Sequence, residues 1–139
     1  MENNNKIKCV IYARVSSRDQ EDKGYSLPAQ VKLLEEYAIK LDLIVIKIFR
    51  ISESASGKQI RKTFMEMLHF INKHKIPVIL CEKIDRLTRN LKDAAMINDW
   101  ISDNENRHVH FVKENFVVNK NTRAHENLVW DMKVAIARF

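Results

Sequence analysis

Short apolar runs alternate with longer stretches of helical periodicity along most of the chain. Residues 6–13 form an apolar run that is typical of a buried strand. Leu43–Ile51 is rich in β-branched residues and predicts a second strand, and residues 77–82 predict a third. Residues 109–118 indicate one or two further strands. The pattern therefore predicts four or five strands, each separated from the next by polar or helical sequence.

Apolar residues recur at helical spacing between these strands. Ser26 is a suitable N-cap, Pro28 fits the first turn, and the helix is expected to continue through Asp42. A polar loop over residues 52–60 precedes a second helix, and residues 91–103 predict a third. The apolar positions that mark the first two helices are Val31, Leu34, Ala38 and Leu41, and Phe64, Met67, Leu68 and Ile71.

Strands and helices thus alternate, which predicts an α/β domain with a mostly parallel sheet. In such sheets ligands bind outside the carboxyl ends of the strands. That rule brings three segments to one edge: residues 14–16, the loop over residues 54–61, and residues 85–89. All three are rich in serine and arginine. We therefore expect a functional site at this edge.

Residues 122–139 predict a helix of a different kind, because apolar side chains cover nearly its whole circumference. Such a helix must be buried on more than one side. We expect one side to pack on its own sheet and the other to meet another chain or a segment outside this sequence. No C-cap signal is present, so we expect a truncated helix that continues past Phe139. The expected division is a core over residues 1–121 and the start of a long oligomerisation helix over residues 122–139.

Composition and charge narrow the possibilities only a little. The 139 residues, 45% hydrophobic and 30% charged, suit one soluble domain, and no signal or membrane-spanning segment is evident, so we expect a cytoplasmic protein. A net charge of +6 permits a phosphate-rich partner without requiring one. Cys9 and Cys81 lie in apolar runs and are expected to be buried thiols. His108 and His110 share a strand face, but no further ligand is close in sequence, so no metal site is predicted.

The residue types expected around Ser16 indicate which reaction this edge of the sheet could catalyse. No histidine lies near the three segments and no G-x-S-x-G elbow is present, which disfavours acyl-transfer hydrolysis. Arginine is abundant instead, and its planar fork of donors matches two phosphate oxygens. Serine with several arginines, without a metal site or glycine-rich phosphate loop, indicates attack on a phosphodiester. Taken singly these motifs are ordinary strand ends, caps and turns, so the prediction rests on their joint placement.

Four motifs carry a resemblance to a known family. They are YARVSS at residues 12–17, GYSLPAQ at residues 24–30, SASG at residues 54–57 and KIDRLTR at residues 83–89. On these the chain resembles the catalytic domain of the serine recombinases, the family of resolvases, invertases and large serine integrases. The GYSLPAQ version favours the large integrases. The resemblance implies a three-layer fold with helices on both faces of a four- to five-stranded sheet, and DNA-reading domains that are absent from these residues.

The resemblance also implies roles. Ser16 would attack the scissile DNA phosphate and form a phosphoserine ester, which conserves bond energy, so that rejoining needs neither metal nor nucleotide cofactor. Arg86 is the best candidate for promoting proton transfer to the leaving oxygen. Asp85 would orient arginines and could accept a proton, and Arg61 would complete the cluster from its mobile loop. Lys62 remains open as an alternative to Arg61. The arginines expected to bind and polarise the phosphate are Arg14, Arg86 and Arg89, and the further phosphate or DNA contacts are Gln20, Gln30, Ser56, Arg18 and Lys62.

The expected partners are DNA and further copies of the chain, as dimers on each site that assemble into tetramers. No membrane or small-molecule substrate is expected. Two alternatives stay open: a non-catalytic DNA-binding or assembly module on the same fold, and a phosphatase-like α/β enzyme. The DNA target, and the choice among integration, excision, inversion and transposition, cannot be predicted from the residues.

Overall fold

The architecture is an alternation of strands and helices ending in a hairpin. The computed structural model describes residues 6–15, 26–52 and 55–122. The elements in these ranges are β1 (Ile7–Arg14), α1 (Leu27–Lys40), β2 (Leu43–Ile51), α2 (Gly57–Lys73), β3 (Val78–Cys81), α3 (Ile84–Leu87), α4 (Leu91–Ser102), β4 (His108–Phe111) and β5 (Phe116–Asn119), with a 3₁₀ turn (Val112–Glu114) between the last two strands.

The sheet has five strands in the order β2-β1-β3-β4-β5. The first four run parallel, and β5 pairs antiparallel with β4. This confirms the α/β fold class and the mostly parallel sheet. The carboxyl ends of β1, β2, β3 and β4 consequently meet at one edge. Because the strand order reverses direction at β1, the crevice beyond β1 and β3 is the place where such sheets bind ligands.

Helices cover both faces of the sheet. On one face, alternate β1 residues such as Cys9 and Ile11 pack with Leu34 of α1. On the other face, Tyr12 packs with residues of α2 and α4, including Phe64 and Ile97. Burial on both faces explains why β1 appears in the sequence as a continuous apolar run rather than as an alternating pattern.

Two helix boundaries differ from the sequence expectations. The helix α2 begins at Gly57, because the Ser56 hydroxyl accepts a hydrogen bond from the Gln59 N–H at 3.1 Å and caps it there. The expected loop to residue 60 was therefore too long, and Arg61 lies in a helix rather than in a loop. The helix α1 starts at the expected cap, Ser26, but ends at Lys40, because Asp42 adopts a left-handed conformation with φ of 60°.

Several sequence expectations fall outside the described residues. These include Ser16, Arg18, Gln20 and the predicted helix from residue 123 onward. Within the described ranges, no helix is long and apolar enough to cross a membrane. The remaining predicted site residues lie in the part of the chain that the structure describes, and their positions can be compared directly.

Candidate active site at the carboxyl edge of the sheet

Arg14 connects two of the three predicted segments. It is the last residue of β1, and its guanidinium reaches across to the segment that follows β3. There its Nε donates to the Arg86 carbonyl at 3.3 Å, and its Nη2 donates to the Asp85 carbonyl. Adjacent parallel pairing of β1 and β3 makes this reach possible. Arg14, which begins the first predicted segment, therefore lies against residues 85 and 86 of the segment after β3, as the strand-end rule predicted.

Gln30 fixes the backbone of Arg14 from the first turns of α1. The Arg14 N–H donates to Gln30 Oε1 at 3.0 Å, and Gln30 Nε2 donates to the Arg14 carbonyl at 3.1 Å. The side chain of Gln30 is buried. Its side-chain amide thus pairs with the N–H and the carbonyl of Arg14 as the backbone of a neighbouring strand would. Arg14 lies two residues before Ser16. The sequence predicted a phosphate or DNA contact for this glutamine, and the structure places both ends of its amide on the backbone of Arg14.

The positive charges of the site are held close together. Burial lowers the pKa of the Arg14 guanidinium below its usual value, and nearby Arg86 lowers that pKa further. Arg89 acts in the same direction, while Tyr12 and Asp85 oppose the shift. Like charges that are crowded and partly desolvated favour the arrival of an anion, which relieves their repulsion. The electrostatics of this edge suit a phosphate group.

The Asp85-Arg86 pair lies in the single helical turn α3 directly after β3. The two side chains form an ion pair of 3.6 Å, in which Asp85 is half exposed and Arg86 largely buried. The turn is anchored from the β4–β5 connection, where Glu114 Oε1 accepts from the Ile84 N–H at 2.9 Å. Thr88 secures its other end by donating to the Ile84 carbonyl at 3.2 Å. The last two contacts hold the turn in place, and the turn thereby holds the Asp85-Arg86 pair at the edge.

Arg61 approaches the same edge from α2. Its Nη1 pairs with Asp93 Oδ1 on α4, and the other Asp93 oxygen accepts from the Arg89 N–H at 3.3 Å. Arg61, Arg89 and Asp93 line a cavity of about 190 Å³ together with Tyr12 and Gly57. The third predicted segment therefore meets the second through Asp93.

Lys62 and Ser56 are placed differently from each other. Lys62 is exposed and lines a separate groove of about 610 Å³ between β2 and α2, away from Arg89. Ser56 caps α2 beside Gly57, and Gly57 is near enough to Arg89 that a Cβ there would lie 3.6 Å from Nη1. Of the two candidate cations, Arg61 is the one that shares a cavity with Arg89.

A family comparison decides the class of protein. The family model of the resolvase N-terminal domain matches residues 9–139. The chain belongs to the resolvase N-terminal domain family. This resolvase domain is therefore an enzyme domain of site-specific DNA recombination, as its motifs predicted. Comparison with curated proteins gives no match.

Three solved structures share the fold of the resolvase domain. The N-terminal catalytic domain of TP901-1 integrase is 22% identical, with 93% of this chain and 92% of that chain covered and a TM-score of 0.67. A resolvase family site-specific recombinase from Streptococcus pneumoniae is 24% identical, with coverages of 96% and 91% and a TM-score of 0.70. A serine recombinase from Sulfolobus solfataricus is 23% identical, with coverages of 94% and 81% and a TM-score of 0.52.

Sequence reasoning missed the supporting acids of the resolvase domain. Asp93 follows the N-cap Asn90 by three residues, a spacing that indicates a capped helix start but not a contact with α2. Glu114 precedes a turn at Asn115, and nothing local in the sequence relates it to Ile84. Glu82 is buried at the end of β3 and pairs with Lys113 at 3.5 Å. Burial raises the pKa of its carboxyl, with Lys113 opposing the shift.

The buried thiols and the paired histidines lie apart from this chemistry. Burial raises the pKa of Cys9 to about 12 and that of Cys81 well above its usual range, so neither thiol is a nucleophile at neutral pH. His110 is hydrogen-bonded through Nδ1 to the Tyr37 hydroxyl at 2.8 Å on the α1 side of the sheet. Among the described residues, no three metal-ligating side chains come together.

Proposed function

We propose that the resolvase domain cleaves and rejoins DNA through Ser16. The observation that carries this is the Arg14 side chain, which spans from the end of β1 to the carbonyls of Asp85 and Arg86. This contact holds the segment that leads into Ser16 beside the arginines after β3. A serine two residues beyond Arg14 would then stand next to a site suited to a phosphate.

The reaction is a transesterification. The Ser16 Oγ forms a bond to the scissile phosphorus as its proton leaves, and the bond from phosphorus to the leaving sugar oxygen breaks. That oxygen takes up a proton, for which Arg86 is our candidate donor. The phosphoserine ester retains the energy of the original phosphodiester, so the reverse attack by a sugar hydroxyl rejoins a strand without a nucleotide cofactor.

The arginines supply the electrostatic stabilisation. A guanidinium has five N–H donors, more than the two carbonyls beside Arg14 require, so it can hold a backbone segment and bind a phosphate together. We assign phosphate binding to Arg14, Arg86 and Arg89, and we assign Arg61 rather than Lys62 to complete the cluster from α2. Asp85 orients Arg86 through their ion pair. Converging donors of this kind stabilise the charge that develops on a phosphoryl group in the transition state.

The remaining predicted contacts have supporting roles in this proposal. Gln30 holds the backbone before the nucleophile, and Ser56 lies at the start of α2 near Arg89, where its hydroxyl can donate to a phosphate oxygen. Arg18 and Gln20 follow Ser16 closely in sequence and are proposed as DNA contacts. We further propose that copies associate through the helix begun by residues 122–139, as dimers that form tetramers on DNA, in the cytoplasm.

A covalent capture experiment tests the proposal. The full-length protein is incubated with a supercoiled plasmid library of DNA from its own source, quenched with denaturant and digested, and its peptides are examined by mass spectrometry. We expect a nucleotide adduct on Ser16 that is absent in Ser16→Ala and present in the neighbouring control Ser17→Ala. An adduct on Ser17 would move the nucleophile by one residue. DNA retention without any adduct would replace this proposal with a non-catalytic DNA-binding module.

A further inference from the structure

We propose that Asp93 is a positioning residue of the recombination site, which orients the Arg61 guanidinium and the Arg89 backbone relative to each other. The inference rests on the proposed function and adds a residue that none of the sequence motifs contains. Asp93 lies on α4, outside the four family-like motifs, and reaches the site only through the packing of α4 against α2. It would act on the phosphate through the two arginines and not by touching DNA.

Both carboxylate oxygens of Asp93 are engaged. One accepts from the Arg61 guanidinium and the other from the Arg89 N–H at 3.3 Å. The Asp93 N–H in turn donates to the Asn90 side chain at 2.9 Å, which fixes the acid at the start of α4. Only 4% of Asp93 is exposed. Asp93 is thus held through its backbone N–H, and its buried carboxylate bridges Arg61 on α2 and Arg89, which precedes α4.

Helix capping alone does not explain this arrangement. An acid at the third position of a helix can interact with the N-terminus of its own helix while remaining in solvent. Asp93 is buried instead, and its ion pair is made with a residue 32 positions earlier in the chain. A buried charge needs a partner to offset its desolvation, so removal of the Asp93 charge leaves Arg61 without its counter-ion. The pair thus fixes α2 against α4 at the site.

The orientation of Arg61 is restricted on further sides. Its guanidinium lies 5.7 Å from the centre of the Phe64 ring, and Nη2 lies 3.7 Å from the Met96 sulfur. The side chain keeps 34% of its surface exposed, at the cavity that Arg89 also lines. Asp93 therefore holds Arg61 at the cavity wall, with part of its guanidinium surface still accessible. Arg61 can meet a phosphate there without first ordering a long, flexible side chain, which lowers the entropic barrier to the reaction.

The variant Asp93→Asn separates the charge from the shape. Asparagine keeps the size and an acceptor for the Arg89 N–H, but it loses the ion pair with Arg61. We expect the rate of covalent adduct formation on the plasmid library to fall at least about tenfold, while noncovalent DNA affinity changes by less than about twofold. The matched control is Asp99→Asn, an exposed carboxylate on the same helix, which should retain the wild-type rate.

A double-mutant cycle distinguishes positioning from general support of the fold. If Asp93 acts through Arg61, Asp93→Asn should slow the reaction little further in an Arg61→Ala background. Asp93→Glu, which restores the charge, should recover part of the rate lost in Asp93→Asn. A wild-type rate in Asp93→Asn, or a full additional loss in the Arg61→Ala background, would overturn the proposal.

An NMR measurement tests the role of Asp93 even if the wild-type protein forms no covalent adduct with DNA. In arginine-labelled wild-type protein, the ion pair should restrict rotation of the Arg61 guanidinium, giving separate NMR signals for its terminal nitrogens. Asp93→Asn should average these signals, and Asp99→Asn should not. A freely rotating Arg61 in the wild-type protein would overturn the role of Asp93 independently of the fate of Ser16, and this measurement needs no variant to fold.

Discussion

At the scale of single residues, the site is built on backbone contacts as much as on charged side chains. Arg14 binds carbonyl oxygens after β3, and Gln30 binds the Arg14 backbone in turn. The chain from α1 through β1 to α3 is thus linked by hydrogen bonds around a crowded group of arginines. These contacts align the strand end from which Ser16 follows, before any DNA is present.

His110 provides a residue-scale prediction on stability. Burial lowers the pKa of this histidine to about 4 from 6.5, with His108 acting in the same direction, and Tyr37 occupies its Nδ1. Above pH 6.5 both the folded and unfolded states hold it neutral. Below that pH the unfolded state takes up the proton first, so the free energy of unfolding should fall by about 3 kcal/mol as the pH drops to 4.

Urea unfolding at several pH values between 7.5 and 4 measures this effect. His110→Gln should remove the histidine contribution and so show a shallower decline than the wild-type protein. His69→Gln is the matched control, because His69 is exposed on α2, and its curve should follow that of the wild-type protein. Parallel curves for the wild type and His110→Gln would contradict the expectation.

At the scale of elements, two serine caps of the same kind have different surroundings. Ser26 and Ser56 each accept from the N–H three residues later, at 3.2 and 3.1 Å. Replacing either one with alanine should cost about 1 kcal/mol of stability. Only Ser56 begins the helix that carries Arg61, so we expect Ser56→Ala to slow DNA cleavage beyond what its loss of stability explains.

Parallel measurements on Ser26→Ala and Ser56→Ala test this difference. Thermal unfolding should show similar losses for both variants, because the capping geometry is nearly the same. The rate of adduct formation should then fall several-fold further in Ser56→Ala than in Ser26→Ala. Equal rates in two equally destabilised variants would limit Ser56 to its capping role.

The element scale also shows where sequence reasoning works. Ser26 and Pro28 identified the start of α1, because capping is a local interaction between neighbours in sequence. The start of α2 was placed too late, since the predicted loop through residue 60 ignored Ser56 as a cap. Ser56 is a residue type that commonly caps helices, and this was visible in the sequence. A helix begun at Ser56 would have included Arg61.

At the scale of the whole molecule, the order of the strands explains why the candidate site could be predicted in outline. Parallel strands deliver their carboxyl ends to one edge, so residues 14 and 85–89 could be brought together from the sequence alone. The contact between Asp93 and Arg61 depends on how α4 packs against α2, and no local pattern encodes that distance. Glu114 likewise reaches Ile84 only through the β4–β5 hairpin. The roles of all the candidate site residues stay predictions, and Ser16, Arg18 and Gln20 also lie outside the described residues.

The charge of the molecule gives the last prediction, on DNA binding. Arg89 lies at the carboxyl edge with the other arginines, whereas Lys73 ends α2 at the opposite edge, because α2 returns across the sheet after β2. Each phosphate neutralised by a cation releases condensed counterions, so the slope of log affinity against log salt is about −0.9 per contact. Arg89→Ala should therefore reduce the magnitude of the slope by about 0.9, which corresponds to one phosphate contact. Lys73→Ala should leave the slope unchanged.

Fluorescence anisotropy of a labelled duplex, measured from about 50 to about 200 mM potassium chloride, gives both slopes. The two variants lose the same unit charge from a chain of net charge +6, so an effect of overall charge would change both alike. A change confined to Arg89→Ala places the phosphate at the carboxyl edge of the sheet. Equal changes in the two slopes would mean that the overall positive charge attracts DNA. That result would contradict the assignment of phosphate binding to the arginine cluster.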